Sequence, residues 1–303
     1  MADEEFLFKR EILRRLTAPQ DDFFYQEPLQ PAAVFGMIER KKAGDAMAAK
    51  QDYIAVFDSG VGGISVLREL LALMPRENYL YFGDIANAPY GGKTTRQVRE
   101  LTLAAAEKLL ARNIKALVVA CNTATAAAIE NLRQRYPDKI IVGIEPAVKL
   151  AADRCGGRVG IMATEVTLRE EKLASLVERF PHMQTVSISA PKLVPLIEAD
   201  ASEEEITAYL EPILTPYAGQ LDAVVLGCTH YPFAAGAIQM LLGQKTQLLD
   251  GGRGTALQTM RRLEQADLLY EGPGQVLIEN SAGSQEFTAR AMVLLEKGEV
   301  TYG

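Results

Sequence analysis

Two cysteines occupy matching positions in the two halves of this 303-residue chain, each directly after a short apolar run. Cys121 follows Ala116-Leu-Val-Val-Ala, and Cys228 follows Ala223-Val-Val-Leu-Gly. Apolar runs of this length, closed by small polar residues, are typical of strands buried on both faces of a parallel sheet. Ligands of open α/β sheets bind beyond the carboxyl ends of the strands. Two such ends facing each other would therefore place two thiols around one small molecule.

Polar residues after each cysteine indicate that a ligand is held beside the thiols. Asn122 and Thr123 follow the first cysteine, and Thr229 and His230 follow the second. Disulfide exchange would use two thiols but would not need these neighbours. A cysteine hydrolase needs one nucleophile and one base, which leaves the second thiol unexplained.

A zinc site and a purely structural role are the alternative interpretations of the cysteines. Cys228 and His230 lie two residues apart, but zinc sites usually have four such ligands. Only His182 and Cys155 remain, and neither has a paired spacing. We therefore expect no bound metal, and we expect Cys155 to be a small buried residue.

Predicted strands and helices alternate along the chain from residue 51, which requires mainly parallel sheets with crossover helices. The predicted strands cover 53–57, 79–83, 116–120, 140–144, 158–162, 184–188, 222–226, 246–249 and 275–279. The predicted helices cover 62–73, 94–111, 124–135, 146–153, 167–179, 191–197, 203–217, 233–242, 255–265 and 285–296. We expect two similar α/β domains, related by pseudo-twofold symmetry, with the active site between them. The first comprises residues 51–145 plus 253–303, and the second comprises residues 146–252.

The glycine turn from Asp58 to Gly63 permits a dinucleotide site as an alternative. The turn follows a strand and opens a helix, and Asp84 ends the next strand, as in a dinucleotide fingerprint. However, Ser65 occupies the third glycine position, and the carboxylate of Asp58 would repel a pyrophosphate. An amino acid fits better, because Asp58 can accept from its ammonium group while Ser59 and the helix-start amides hold a carboxylate.

Composition excludes several classes of protein. The chain is 48% hydrophobic and 23% charged, which is enough apolar material for two compact domains. Its net charge of −7 argues against a nucleic-acid partner. The acidic amino terminus does not resemble a secretory signal, and no apolar stretch approaches the ~20 residues of a membrane span. Three cysteines without short spacings predict free thiols in the reducing cytoplasm.

Residues 1–50 are predicted to form an amino-terminal extension of the core. Phe8, Ile12 and Leu16 lie four apart, as expected of a short amphipathic helix that ends before Pro19. The extension is interpreted as a packing or solubilising segment, with a regulatory or dimer-forming role as the alternative.

Four ordered motifs resemble those of the cofactor-independent glutamate racemases of the aspartate/glutamate racemase superfamily. The resemblance extends from about residue 52 to 300. It is carried by Phe57-Asp58-Ser59-Gly60-Val61-Gly62-Gly63, by Tyr81-Phe82-Gly83-Asp84 with Pro89-Tyr90-Gly91, by Val119-Ala120-Cys121-Asn122-Thr123-Ala124, and by Gly227-Cys228-Thr229-His230-Tyr231-Pro232. It implies interconversion of L- and D-glutamate without a cofactor, with D-glutamate supplied for peptidoglycan in a bacterium.

The resemblance also assigns roles to individual residues. Cys121 and Cys228 are the implied proton donors and acceptors, with Asp58 assisting the first thiol and Glu198 and His230 assisting the second. Glu198 is placed by the segment Val194-Pro-Leu-Ile-Glu198. The implied substrate contacts are Asp58, Ser59, Pro89, Tyr90, Gly91, Asn122, Thr123, Thr164, Thr167, Thr229 and His230. A homodimer is expected, and a cell-wall precursor is a candidate regulator.

Two other functions stay open at this point. Glu170 and Gly251 depart from the family pattern, so an aspartate racemase or a related isomerase is one alternative. An amino-acid-binding sensor with the same cleft is the other, although a sensor has no need of two thiols.

Overall fold

A computed structural model describes residues 48–155, 157–164, 167–168 and 171–296, without the side chains of 171–173. The predicted helix of the extension and Glu170 lie outside these residues. The strands are β1 (Tyr53–Asp58), β2 (Asn78–Gly83), β3 (Ile114–Val119), β4 (Ile140–Gly143), β5 (Arg158–Ala163), β6 (Gln184–Ser189), β7 (Ala223–Leu226), β8 (Gln247–Asp250) and β9 (Gln275–Asn280). The helices are α1 (Ile64–Leu73), α2 (Thr95–Leu110), α3 (Asn122–Arg135), α4 (Val148–Arg154), α5 (Glu171–Glu178), α6 (Leu193–Glu198), α7 (Glu203–Leu214), α8 (Ala235–Leu242), α9 (Gly252–Gln265) and α10 (Gln285–Glu296).

The strands form two parallel sheets with the same order. The first sheet runs β4-β3-β1-β2-β9, and the second, in the same sense, runs β8-β7-β5-β6. Thus β1 corresponds to β5, and β3 corresponds to β7. The predicted α/β class is confirmed, and the predicted internal repeat is present as a shared strand order.

Burial explains the apolar strand sequences. All residues of β2, β3 and β7 are buried, since helices cover both faces of a parallel sheet. The edge strand β6 is mostly exposed and has the polar sequence Gln-Thr-Val-Ser-Ile-Ser. Within the described residues, no helix is long and apolar enough to cross a membrane.

Local chemistry sets several helix ends. The side chain of Thr94 accepts from the N–H of Gln97 at the start of α2, and Ser202 and Glu205 make the same capping box before α7. The predicted helix 203–217 ends at Leu214 and continues as the 3-10 turn Thr215–Tyr217, which contains a proline. The predicted helix 255–265 instead begins at Gly252, whose N–H donates to the side chain of Asp250.

The two segments that connect the sheets touch each other. A Cβ atom at Gly251 would lie 2.2 Å from the carbonyl oxygen of Glu145, so only glycine fits at this crossing. The contact lies beside the boundaries 145/146 and 252/253 that the sequence predicts for the two domains.

Candidate active site

Cys121 and Cys228 line one cavity of about 260 Å³. Cys121 is the N-cap residue of α3, directly beyond β3. Cys228 follows β7 and precedes the 3-10 turn Tyr231–Ala234. Both cysteines are largely buried, at 5% and 7% exposure. One cavity thus receives one thiol from each sheet.

Most of the predicted contact residues line this cavity. They are Ser59, Pro89, Tyr90, Gly91, Asn122, Thr123, Thr164, Thr229 and His230. Asp58, Thr167 and Glu198 do not line it. The carboxylate of Asp58 lies behind the wall and accepts from the Gly60 N–H (2.9 Å) and the Thr229 hydroxyl (3.0 Å). Asp58 therefore acts on the cavity through its charge and through Thr229.

An apolar wall of the cavity was not predicted. Its residues are Ala190, Pro191, Val194, Pro195 and Tyr231. The segment 190–195 includes the first residues of α6, which ends at Glu198. The motif that identified Glu198 also covers part of this wall, so the sequence could have indicated it. Which side chains of the segment face the cavity depends on the tertiary packing.

Cys228 is connected to a histidine and a carboxylate. Its Sγ lies 3.8 Å from Nδ1 of His230, and Nε2 of His230 lies 2.6 Å from Oε1 of Glu198. Burial alone lowers the pKa of His230, but its hydrogen bonds to Cys228 and Glu198 outweigh burial and raise that pKa well above the ordinary value. Burial raises the pKa of Glu198, yet the bond and charge of His230 hold that pKa below the ordinary value. The arrangement favours an imidazolium paired with a carboxylate, next to a thiol.

Cys121 has a different electrostatic environment. Its Sγ lies 3.8 Å from the hydroxyl of Ser59. Burial, followed by the negative charge of Asp58, raises the pKa of Cys121 to about 12, although the N–H of Ala124 opposes this shift. Without a ligand, Cys121 is therefore a neutral thiol near pH 7.

The glycine turn makes close contact with the residues around Cys228. A Cβ at Gly60 would lie 1.9 Å from Oε1 of Glu198, and one at Gly62 would lie 2.3 Å from Nδ1 of His230. The N–H of Val61 donates to Oε1 of Glu198 at 2.9 Å. The glycines of this turn thus leave room for the histidine and its carboxylate, which argues against the dinucleotide alternative.

Neutral donors dominate the wall nearest the start of α3. Both polar side-chain atoms of Asn122 are buried without a hydrogen-bond partner, although Asn122 lines the cavity. The hydroxyl oxygens of Thr123, Thr164 and Thr167 lie within 3.1–3.4 Å of one another. Buried polar groups of this kind normally have a partner, so a polar ligand group is expected here. A carboxylate fits, because the amino terminus of a helix favours negative charge.

Acid–base chemistry on an amino acid is the reaction class that this site supports best. Two thiols can exchange protons with an atom between them, and the neutral donors can hold a carboxylate. Among the described residues, no group of three or more His, Cys, Asp or Glu side chains could hold a metal ion.

Comparison with known proteins identifies a family and several relatives. The profile of the Asp/Glu/Hydantoin racemase family matches residues 65–259. A glutamate racemase of Clostridium botulinum is 46% identical over 256 residues, which cover 82% of this chain and 99% of the relative.

Two solved structures share the fold. The glutamate racemase of Thermus thermophilus in complex with β-chloro-D-alanine is 36% identical with a TM-score of 0.69, covering 83% of this chain and 94% of that chain. The glutamate racemase of Escherichia coli in complex with L-glutamate and the activator UDP-MurNAc-Ala is 29% identical with a TM-score of 0.65, covering 76% and 98%. The predicted resemblance and the predicted two-sheet fold are both confirmed.

Proposed function

The chain belongs to the glutamate racemases of the Asp/Glu/Hydantoin racemase family, and we propose that it inverts the α-carbon of glutamate by proton transfer between two thiols, without a cofactor. One observation carries this mechanism. Cys121 and Cys228 come from different sheets and line the same cavity of about 260 Å³.

Racemisation explains why the acid–base residues come in a pair. The reaction removes the α-proton from one face of the carbon and returns a proton to the other face. A single fixed base tends to return the proton to the face from which it came. Two thiols on opposite faces avoid this, because one thiolate abstracts while the other thiol donates, and the roles exchange in the reverse direction.

The neutral donors have a role in the same reaction. Asn122, with Thr123 and Thr164, is proposed to hold the α-carboxylate of the substrate. Charge develops on that carboxylate as the proton leaves, and preorganised dipoles stabilise it without reorganising. General acid–base catalysis contributes typically ~10²–10⁴-fold, so electrostatic stabilisation must lower much of the remaining barrier.

The substrate ammonium group is proposed to bind near Ser59, within the field of Asp58. Its positive charge would offset the carboxylate charge that raises the pKa of Cys121. Binding of glutamate would therefore lower the pKa of Cys121 and favour its thiolate. His230 would exchange a proton with Cys228. The substrate itself thus activates the first thiol, and the protein activates the second.

The biological role and the partners follow from the family. D-Glutamate for peptidoglycan is the proposed product. The Escherichia coli relative was solved with the activator UDP-MurNAc-Ala, and we propose that a cell-wall precursor is a candidate regulator here as well. A homodimer is likewise proposed.

Solvent deuterium exchange tests the proposed function. Each glutamate enantiomer is incubated with the enzyme in D₂O, and the enantiomers are separated and analysed for α-deuterium by mass spectrometry. We expect the opposite enantiomer to form with deuterium at the α-carbon. Because enantiomers have equal free energies, kcat/KM must be the same from either side. Inversion without deuterium would contradict the mechanism, and faster turnover of aspartate in a parallel assay would change the substrate assignment.

The alkylation rate of Cys121 is expected to depend steeply on pH. Only the thiolate reacts with iodoacetamide, and the pKa of Cys121 is raised to about 12. In the unliganded Cys155→Ser enzyme, the rate at Cys121 should rise about tenfold per pH unit between pH 7 and pH 10. Asp58→Asn should move this profile to lower pH, since it removes the charge that raises the pKa. Fast, pH-independent alkylation near pH 7 would contradict the assigned environment.

A further inference from the structure

Helix α6 ends at Glu198, and Asp200, two residues later, has an unusual backbone conformation for a residue with a side chain. Asp200 has φ +54°. Its N–H donates to the carbonyl of Ile197 at 3.2 Å, and the N–H of Ala201 donates to the carbonyl of Leu196 at 3.0 Å. These two bonds form a Schellman motif, in which the left-handed residue is usually glycine. A residue with a Cβ is less favourable than glycine in this conformation. The presence of an aspartate therefore indicates that its side chain has a role at this position.

The carboxylate of Asp200 pairs with an arginine from the other side of the cleft. Its Oδ1 lies 2.6 Å from Nη1 of Arg290, an ion pair without hydrogen-bond geometry, and the side chains of Arg290 and Asp200 are 15% and 62% exposed. Nη2 of Arg290 lies 3.5 Å from the carbonyl oxygen of Ile197. Arg290 belongs to α10, which packs against α1 and β9 of the first sheet. The pair therefore connects the end of α6 to the layer of the first sheet.

Arg290 also contributes to the charge environment of Glu198. The titratable and charged groups that face Glu198 are His230, Asp58, Tyr81 and Arg290. The Val61 N–H donates to the same carboxylate. Burial raises the pKa of Glu198, and the bonds to His230 and Val61, with the charge of Arg290, hold that pKa below its ordinary value.

We propose that Arg290 is a positioning residue of the proton-transfer site, which fixes the end of α6 through Asp200 and the Ile197 carbonyl and thereby holds Glu198 beside His230. Arg290 does not touch the substrate cavity, and it acts through Glu198. The inference rests on the proposed function, because Glu198 and His230 affect the rate only if Cys228 transfers a proton.

The chain contains a matched control for this arrangement. Helix α9 ends in the same motif, with Asp267 at φ +52° and with its N–H and that of Leu268 bonded to the carbonyls of Glu264 and Leu263. Asp267 also pairs with a cation, Lys50, at 2.7 Å. That pair lies at the opposite end of the first sheet from the cleft, beside the first residue of β1, and the Asp267 side chain is 91% exposed. Asp200→Gly and Asp267→Gly thus make the same backbone change, near and far from the site.

The test measures kcat and KM against pH for both enantiomers, in four variants of the full chain. Arg290→Gln should lower kcat up to about tenfold and move the acid limb of the kcat/KM profile to higher pH, on the order of half a pH unit. The sign follows because Glu198 keeps its bond to His230 but loses the positive charge of Arg290, so it protonates at higher pH. Arg290→Lys keeps the charge and should keep the acid limb near its original position.

The substitutions of Asp200 and Asp267 distinguish the anchoring of α6 from the effect of the Arg290 charge. Asp200→Gly leaves the Arg290 charge in place, so it should lower kcat about threefold or more without moving the acid limb upward. It should not lower the unfolding midpoint much, because glycine relieves the strain at positive φ. Asp267→Gly should leave kcat and the pH profile unchanged.

Every other pattern overturns the proposal. An unmoved acid limb in Arg290→Gln, or equal kcat in Asp200→Gly and Asp267→Gly, would reduce the pair to a stabilising contact. The proposed function fails separately, if the wild-type chain does not racemise glutamate or if it keeps full activity without Cys121 or Cys228. Wild-type racemisation with unaffected Arg290 variants would overturn only this inference.

Discussion

Replacing either cavity thiol by a hydroxyl is expected to abolish most of the racemase activity. Cys121→Ser and Cys228→Ser should each lower kcat/KM by about 10²–10⁴-fold, in both directions equally, because a serine hydroxyl is too weak an acid and base for the transfer. Both cysteines line the cavity, and Cys155, the third cysteine of the chain, does not. Initial rates from each enantiomer, followed by circular dichroism, give the measurement.

The two variants should differ in which glutamate enantiomer still exchanges its α-proton with solvent. With Cys121 replaced, Cys228 can still abstract from one enantiomer and return a solvent proton to the same face. Slow α-deuteration with retention is therefore expected for one enantiomer in Cys121→Ser and for the opposite one in Cys228→Ser. Deuteration of the same enantiomer in both variants would show that the thiols do not serve opposite faces.

Cys155 provides the matched control for these substitutions. It is buried after α4, at 6% exposure, and it does not line the cavity. Cys155→Ser should keep wild-type kcat and KM. A loss comparable with that of the cavity variants would indicate general damage to the fold by cysteine replacement.

The largest expected effect on stability comes from a buried ion pair far from the chemistry. Lys115, whose side chain is fully buried in β3, pairs with the carboxylate of Glu77 and donates to the carbonyl of Leu268 at 2.9 Å. Glu77 also accepts from the N–H of Tyr270 at 2.8 Å. Lys115→Met should lower the free energy of unfolding by about 3–5 kcal/mol, because it leaves the Glu77 carboxylate buried without a cation. Urea unfolding gives the value.

Removing both charges should restore much of this loss. The double variant Lys115→Met with Glu77→Leu has no uncompensated buried charge, so it should be more stable than Lys115→Met alone. Arg133→Gln, which breaks a half-exposed pair with Glu130, is the control and should change stability little. If the double variant were less stable than Lys115→Met alone, the hydrogen bond that Glu77 accepts from the Tyr270 N–H would matter more than the uncompensated charge.

The buried pair and the reactive thiol occupy opposite ends of the same strand. Ile114 and Lys115 begin β3, and Cys121 lies two residues after its last residue, Val119. We therefore expect Lys115→Met to keep its kcat per folded molecule below the temperature at which it unfolds. One end of β3 thus contributes to stability through Lys115, and the other end contributes to catalysis through Cys121.

Much of the architecture could be predicted from local sequence patterns. The apolar runs of β3 and β7 gave correct strands, because burial on both faces demands continuous apolar residues. The helix α10 has the predicted bounds 285–296. The differences lie at the ends of elements, as at α9, which begins at Gly252, three residues earlier than predicted.

The composition of the site was predictable where a motif placed a residue at a strand end. Ser59, Asn122 and Thr229 follow strands or begin helices, and parallel strands bring their carboxyl ends to the same edge. The roles of these residues stay predictions until the exchange experiments are done. Residues whose function depends on a partner far along the chain were beyond such reasoning.

By itself, the sequence determined the alternation of strands and helices, the repeat, and the two thiols at strand ends, because those features depend on near neighbours in the chain. Only the tertiary structure decided that Asp58 lies behind the cavity wall, that the glycine turn adjoins His230 and Glu198, and that Arg290 meets Asp200. Those contacts join residues 90 to 171 positions apart across the two sheets. No local spacing encodes such pairs, since they depend on how the two sheets pack.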